Sequence, residues 1–210
     1  MNDDVLFRQI LECIQHHGDA ILPNRFKGFN SKPELREKLK NQFLRGRQKK
    51  HPEVPSTVND DAVLDVLTNY FSCSYSKDQI VDIHKKAMAS ENIVGDILER
   101  YIASVLEQKG WVWAAGSVLK AIDFIYQDEF GQWILLQVKN RDNSENSSSA
   151  AIREGTKIKK WFRSFSKKEK TNWSAFPVPE FADLLSEEDF RKFVVQYVKQ
   201  LRISKDHSLE

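Results

Sequence analysis

Apolar side chains recur at helical spacing through the first half of the chain and on alternate positions near its middle, a pattern that predicts helices first and strands later. Val5, Leu6, Ile10, Cys13 and Ile14 form a stripe along a helix over residues 3 to 17, which Gly18 terminates. Pro33 suits the first turn of a second helix carrying Leu35, Leu39 and Phe43. Beyond Pro52 and Pro55, Asn59 is placed to cap a helix through Leu64, Leu67 and Phe71. Ser76-Lys-Asp-Gln79 has the form of a capping box ahead of Ile80, Ile83 and Ala87. Apolar residues at 93, 94, 97, 98, 101, 102, 105 and 106 then give helical periodicity across Glu91 to Lys109, closed by Gly110. The first 90 residues are therefore mostly helical, and no internal repeat is present.

The period changes after Gly110. Trp111-Val-Trp113 starts a strand, and two longer apolar runs follow, Ala121 to Tyr126 and Trp133 to Lys139, joined by the polar turn Gln127 to Gln132. Asn140 to Ser149 is a polar tract of the kind usual in linkers. Ala150 to Arg163 is expected to form a basic helix with Trp161 and Phe162 turned to the core. Trp173 to Phe176 is expected to add a strand, and Ser186 to cap a final helix bearing Phe190, Phe193, Val194, Tyr197 and Leu201.

Composition narrows the function classes. A chain of 210 residues can bury a sizeable core in one domain. It has no apolar run of membrane-spanning length, and its acidic start is unlike a signal peptide, so a cytoplasmic location without membrane contact is expected. Two cysteines, Cys13 and Cys73, are too few for a disulfide framework and are expected in the core as thiols. The five histidines lack metal-ligand spacing, which argues against zinc chemistry. The net charge of +2 conceals segregation. Arg25 to Lys50 holds ten lysines and arginines against Glu34 and Glu37, and Arg153 to Lys170 holds eight against Glu154 and Glu169. Two such blocks fit a polyanion-binding cleft, and equally a pair of solvated basic helices.

The candidate chemistry lies in the two middle strands. Gln137 and Lys139 project from one strand face and Leu136 and Val138 from the other. An ionised lysine in a strand built for burial needs compensation, and Asp123 on the neighbouring strand supplies it if the antiparallel register sets Asp123 opposite Gln137. A carboxylate, an amide carbonyl and an ammonium together can hold a hard divalent cation in oxygen ligands with a second positive charge beside it. That arrangement suits phosphodiester hydrolysis. The same residues also fit a hairpin with one buried ion pair and a tolerated glutamine. Glu99 sits at the edge of the apolar face of the preceding helix, where a solvated charge is not the default, and Asp96 shares much of that face. Directly after Lys139, Arg141, Asn143, Ser144 and Asn146 are residue types that contact base edges and phosphates, and Arg153 and Lys157 on the expected basic helix would follow the DNA backbone.

The order of acidic helix, strand, strand with Asp123, strand with Gln137-Val-Lys139 and further helix resembles the PD-(D/E)xK nuclease superfamily over roughly residues 90 to 165. The resemblance implies an α/β (α+β) fold with a restriction-endonuclease-like core. Its central mixed sheet would be flanked by helices, with residues 1–90 a helical part of the DNA-binding clamp and residues 91–210 the nuclease core with its C-terminal helix. By position, Asp123 matches the metal-binding aspartate, Gln137 the acid before the lysine, Lys139 the lysine and Glu99 the helix acid. Mg2+ would be held by Asp123, Gln137 and the Val138 backbone carbonyl. Two positions depart from the pattern: Ile122 replaces the proline, and Gln137 replaces an acid. The amide keeps a carbonyl oxygen but removes a negative charge, which weakens cation binding or lowers the number of ions held.

Within the superfamily, Gly95 to Ile102, Ala121 to Ile125 and Leu136 to Arg141 are similar to the SinI type of type II restriction endonuclease. That narrower resemblance implies cleavage of double-stranded DNA at a short GGWCC-like palindrome by a homodimer, with a cognate DNA methyltransferase as genetic rather than physical partner. A structure-selective repair or recombination nuclease on the same core would cut branched or damaged DNA without sequence preference. A non-catalytic DNA-binding protein with a decayed core would bind without cutting at any Mg2+ concentration.

Overall fold

Capping side chains set the helix starts in the computed structural model, which describes residues 2–49, 60–71, 75–143, 153 and 155–206. Asn2 accepts the Asp4 amide at 3.0 Å and opens α1 (Asp3–His17), whose first-turn acids Asp3 and Asp4 face the positive helix end. Gly18, at φ +67°, ends it. Helix α2 (Pro33–Gln48) begins on Pro33 as expected. The short α3 (Asp61–Asp65) is capped by Asp60, which accepts from the Ala62 amide; Asn59, expected there, lies outside the described residues. A wide turn, Val66–Tyr70, extends it. The Ser76 capping box is reciprocal: the Ser76 amide donates to Gln79 Oε1 at 3.0 Å, and the Gln79 amide to Ser76 Oγ at 3.3 Å. It starts α4 (Lys77–Leu106), so the two periodic segments before and after Glu91 form one continuous helix. A tighter turn, Glu107–Lys109, and Gly110 at φ +91° close it.

The chain divides into two compact units, Met1–Lys50 with Ile97–Glu210, and His51–Asp96. The first contains a mixed four-stranded sheet in the order β1 (Val112–Trp113), β2 (Phe124–Gln127), β3 (Trp133–Arg141), β4 (Ile158–Ser164). The first three strands are antiparallel, and β4 runs parallel to β3. One sheet face, with Val112, Ile125 and Leu135, packs on Leu6, Ile10 and Ile14 of α1 and Leu39 and Phe43 of α2. On the other face Trp161 packs at an angle against Trp173 and edge-on against Phe176, and Tyr101 of α4 meets Trp173 and Phe190. The mixed sheet between helical layers is the restriction-endonuclease-like architecture expected. Cys13 lies in the α1 core, where burial pushes its thiol up to about 12. Cys73 lies outside the described residues.

Three local expectations are corrected. Residues 158–164 are strand β4, not part of a basic helix: Gly155 at φ +72° and the turn in which the Thr156 amide donates to the Arg153 carbonyl break any helix, and β4 satisfies the free edge of β3. Trp173–Ala175 is a single turn of tight helix rather than a strand. The strand containing Phe124 starts after Asp123, because Ala121 takes a left-handed backbone, φ +56°. A short helix α5 (Pro179–Ala182) precedes α6 (Glu187–Asp206), where Ser186 Oγ accepts from the Asp189 amide at 3.1 Å, the expected cap. Among the described residues no helix is long and apolar enough to cross a membrane.

Candidate active site

The register of β2 and β3 pairs Phe124 with Leu136, which carries Asp123 to the position opposite Gln137. The three side chains that the alternation pointed to therefore share a face. Asp123 sits where the chain leaves a strained loop and enters the sheet, and three hydrogen bonds fix it. Its amide donates to the Leu136 carbonyl at 2.8 Å, its carbonyl accepts from Ala114 at 2.8 Å, and its carboxylate accepts the Val138 amide at 2.7 Å. The last bond ties the acid directly to the Gln137-Val138-Lys139 segment. Burial pushes the Asp123 carboxyl up to about 6, against the opposing effects of the Val138 hydrogen bond and the Lys139 charge.

Gln137 is 4% exposed, and its Oε1 has no hydrogen-bond partner. A buried acceptor left unsatisfied costs about 1 to 3 kcal/mol, so this oxygen fits a ligand to a cation better than a purely structural amide. Asp123, Gln137 Oε1 and the adjacent Val138 carbonyl are hard oxygen donors, which fit a divalent ion of the Mg2+ type. Among the described residues no three His, Cys, Asp or Glu side chains converge as a metal cluster, so this donor set has a single carboxylate. Lys139 is half-buried two positions beyond Gln137 on the same strand face.

The helix acid is engaged elsewhere. Glu99 Oε2 accepts the Trp113 indole N–H at 2.8 Å, and Trp113 pairs with Phe124 on the sheet face opposite Asp123 and Gln137. Asp96 is half-buried on α4 in the other compact unit. A cluster of three charged residues serves the fold rather than the site. Arg47 grips Glu107 through its two terminal guanidinium nitrogens at 2.6 and 2.8 Å and Asp3 through Nε at 2.7 Å, and Glu107 also accepts from the Trp113 amide. This cluster joins α1, α2 and the end of α4 to β1, so one charge of the first basic block serves the fold. Only three-dimensional proximity reveals it; the sequence separations carry no signal.

Of the residues expected to contact DNA, Arg141 and Asn143 are exposed at the end of β3, Arg153 is half-buried and Lys157 exposed. Ser144 and Asn146 lie outside the described residues.

A hairpin with an acid at the mouth of one strand and Gln-x-Lys on the next, extended by a parallel fourth strand and enclosed by helices, has the form of a restriction-endonuclease-like nuclease core. Comparison with known proteins agrees. The SinI restriction endonuclease family matches residues 29–200. The type II restriction enzyme SinI of Salmonella infantis is 48% identical over 173 residues, covering 81% of this chain and 75% of its own length. The type II restriction enzyme Eco47I of Escherichia coli is 43% identical over 200 residues, covering 93% and 87%. This chain belongs to the SinI restriction endonuclease family.

Proposed function

We propose that this protein is a type II restriction endonuclease that hydrolyses phosphodiester bonds of double-stranded DNA in the presence of Mg2+, at a short palindrome of the GGWCC type and as a homodimer. The observation that carries the reading is the unpartnered Gln137 Oε1 buried across the ladder from Asp123. Asp123, Gln137 Oε1 and the Val138 carbonyl would hold the ion, which when bound supplies charge stabilisation at the phosphate and a more acidic water. Lys139 lies on the same face, positioned to orient the attacking water and to neutralise charge building on the phosphate. The Val138 amide holds the Asp123 carboxylate toward that segment at 2.7 Å. Glu99 acts as an orienter: it fixes Trp113, whose ladder partner Phe124 directly follows Asp123. Arg141, Asn143, Ser144, Asn146, Arg153 and Lys157 supply contacts to bases and backbone. The two-fold palindrome is most simply read by a two-fold protein.

Asp123→Ala and Lys139→Ala should each abolish cleavage while leaving DNA affinity, measured by fluorescence anisotropy in EDTA, close to wild type. Normal cutting by Asp123→Ala removes the assignment. Gln137→Glu adds back the missing charge and should lower the Mg2+ concentration that cleavage requires, whereas a structural glutamine would change stability alone.

A further inference from the structure

Beyond Lys139 the face of β3 that carries the candidate site does not end. Arg141 is the next residue on it, about 6.6 Å farther along at the usual strand rise, and it is exposed. Its parallel partner is Ser164, the last residue of β4. There the chain makes a tight excursion through residues 165–170 and returns as Thr171, bridged to Ser164. A cavity of about 520 Å3 opens at this point, lined by Arg141 and by the side chains of the excursion, Lys167, Lys168 and Lys170 among them.

The excursion is held in place. The Phe165 amide donates to the Lys170 carbonyl at 3.1 Å, and the Ser166 amide to Asp142 Oδ1 at 2.8 Å, which fastens it to the residue following β3. Phe165 packs edge-on against Phe162, and Lys168 lies over the Phe165 ring at 5.8 Å. The charge inside the cavity is one-sided. Arg163 and Glu187 neutralise each other at 2.5 Å, and Glu187 also accepts from the Trp173 indole. That leaves Arg141 and three exposed lysines along the cavity together with Glu169. Three lysines on a fixed turn and Arg141 on the adjoining strand outnumber the acids beside them, Glu169 and Asp142, and these cations repel one another unless an anion lies between them.

We propose that the 165–170 turn and Arg141 form a backbone anchor that receives the phosphates flanking the scissile one, so that the DNA strand running past Lys139 continues into this cavity. The anchor takes phosphodiester oxygens without regard to base, with Arg141 contributing to it as a phosphate contact and the turn lysines lying apart from the tract after Lys139. The inference rests on the nuclease reading above, since it presupposes DNA on this sheet face. It makes the second basic block functional through its last three lysines.

The test is the salt dependence of binding. The full-length protein and its Lys167→Ala/Lys168→Ala/Lys170→Ala variant are titrated in EDTA onto a fluorescein-labelled duplex over a range of KCl. Each lost phosphate contact flattens the slope of log K against log salt by about 0.9, so the variant should be shallower by about 2.7. A triple Lys→Arg variant should restore the slope, because it keeps the charge. A change of less than about 1 in the alanine variant overturns the anchor. Wild-type protein that shows no salt-dependent DNA binding overturns the nuclease reading instead, which keeps the two failures apart.

Discussion

Burial treats the acid and the amide of the site differently. Gln137 carries no charge and tolerates a position that is 4% exposed, with its Oε1 unpartnered. Asp123 is charged, and burial raises its carboxyl from 3.8 to about 6. A folded-state value above the unfolded one means that the native protein binds this proton more tightly. In EDTA, stability should therefore fall as pH rises from about 4 to about 6 and then level off. Asp123→Asn has no proton to lose, and its amide oxygen can still accept from Val138. Calorimetry should show the variant gaining on wild type across that window by at most about 3 kcal/mol, at 1.36 kcal/mol per unit. A variant that tracks wild type at every pH would contradict the burial of the charge. At this scale the sequence was informative for Asp123, Gln137 and Lys139, because strand alternation and one loop length fix a common face. It was silent on the Glu99 to Trp113 bond, which depends on how α4 is rotated against β1.

Elements place the site through one close crossing. Helix α2 passes the loop between β1 and β2 so tightly that a Cβ on Gly46 would stand 2.3 Å from the Gly116 backbone nitrogen. Gln42 of α2 also donates to the Gly116 carbonyl. The loop then reaches Asp123 through Ser117 and Ala121, both at positive φ, a conformation that costs about 1 to 2 kcal/mol per non-glycine residue. Gly46→Ala forces backbone apart and should destabilise by roughly 1 to 3 kcal/mol or more. For a chain of this size that is a fall of several degrees in Tm, at about 2 to 4 °C per kcal/mol. An unchanged thermal melt would show that the crossing yields freely. Helix ends were legible because caps are local chemistry, as at Ser76 and Ser186. Strand β4 was not, because its lysines between Ile158 and Trp161 read as a basic helix until β3 offers an edge to pair with. The loop strain at Ala121 has no sequence signature, since alanine is no turn signal.

Across the whole molecule, charge is divided between fold and ligand. Arg47 with Glu107 and Asp3, Lys40 with Asp4 and Arg163 with Glu187 are internal pairs, so part of each basic block holds elements together. The nearly balanced total of +2 hid this division as well as the one-sided turn after β4. Family membership was legible because the site strands and the helix before them lie within one short stretch, whereas the cavity beyond Arg141 depends on two segments meeting in space. In the proposed function, Asp123, Gln137 and Lys139 cut duplex DNA at a defined sequence. Purified protein and its Lys139→Ala variant are incubated with a long duplex, in Mg2+ and in EDTA, and resolved on a gel. Discrete Mg2+-dependent fragments from wild type alone are the predicted result. Intact DNA in every lane, on methylated and unmethylated substrates alike, or equal fragments from the variant, would contradict it.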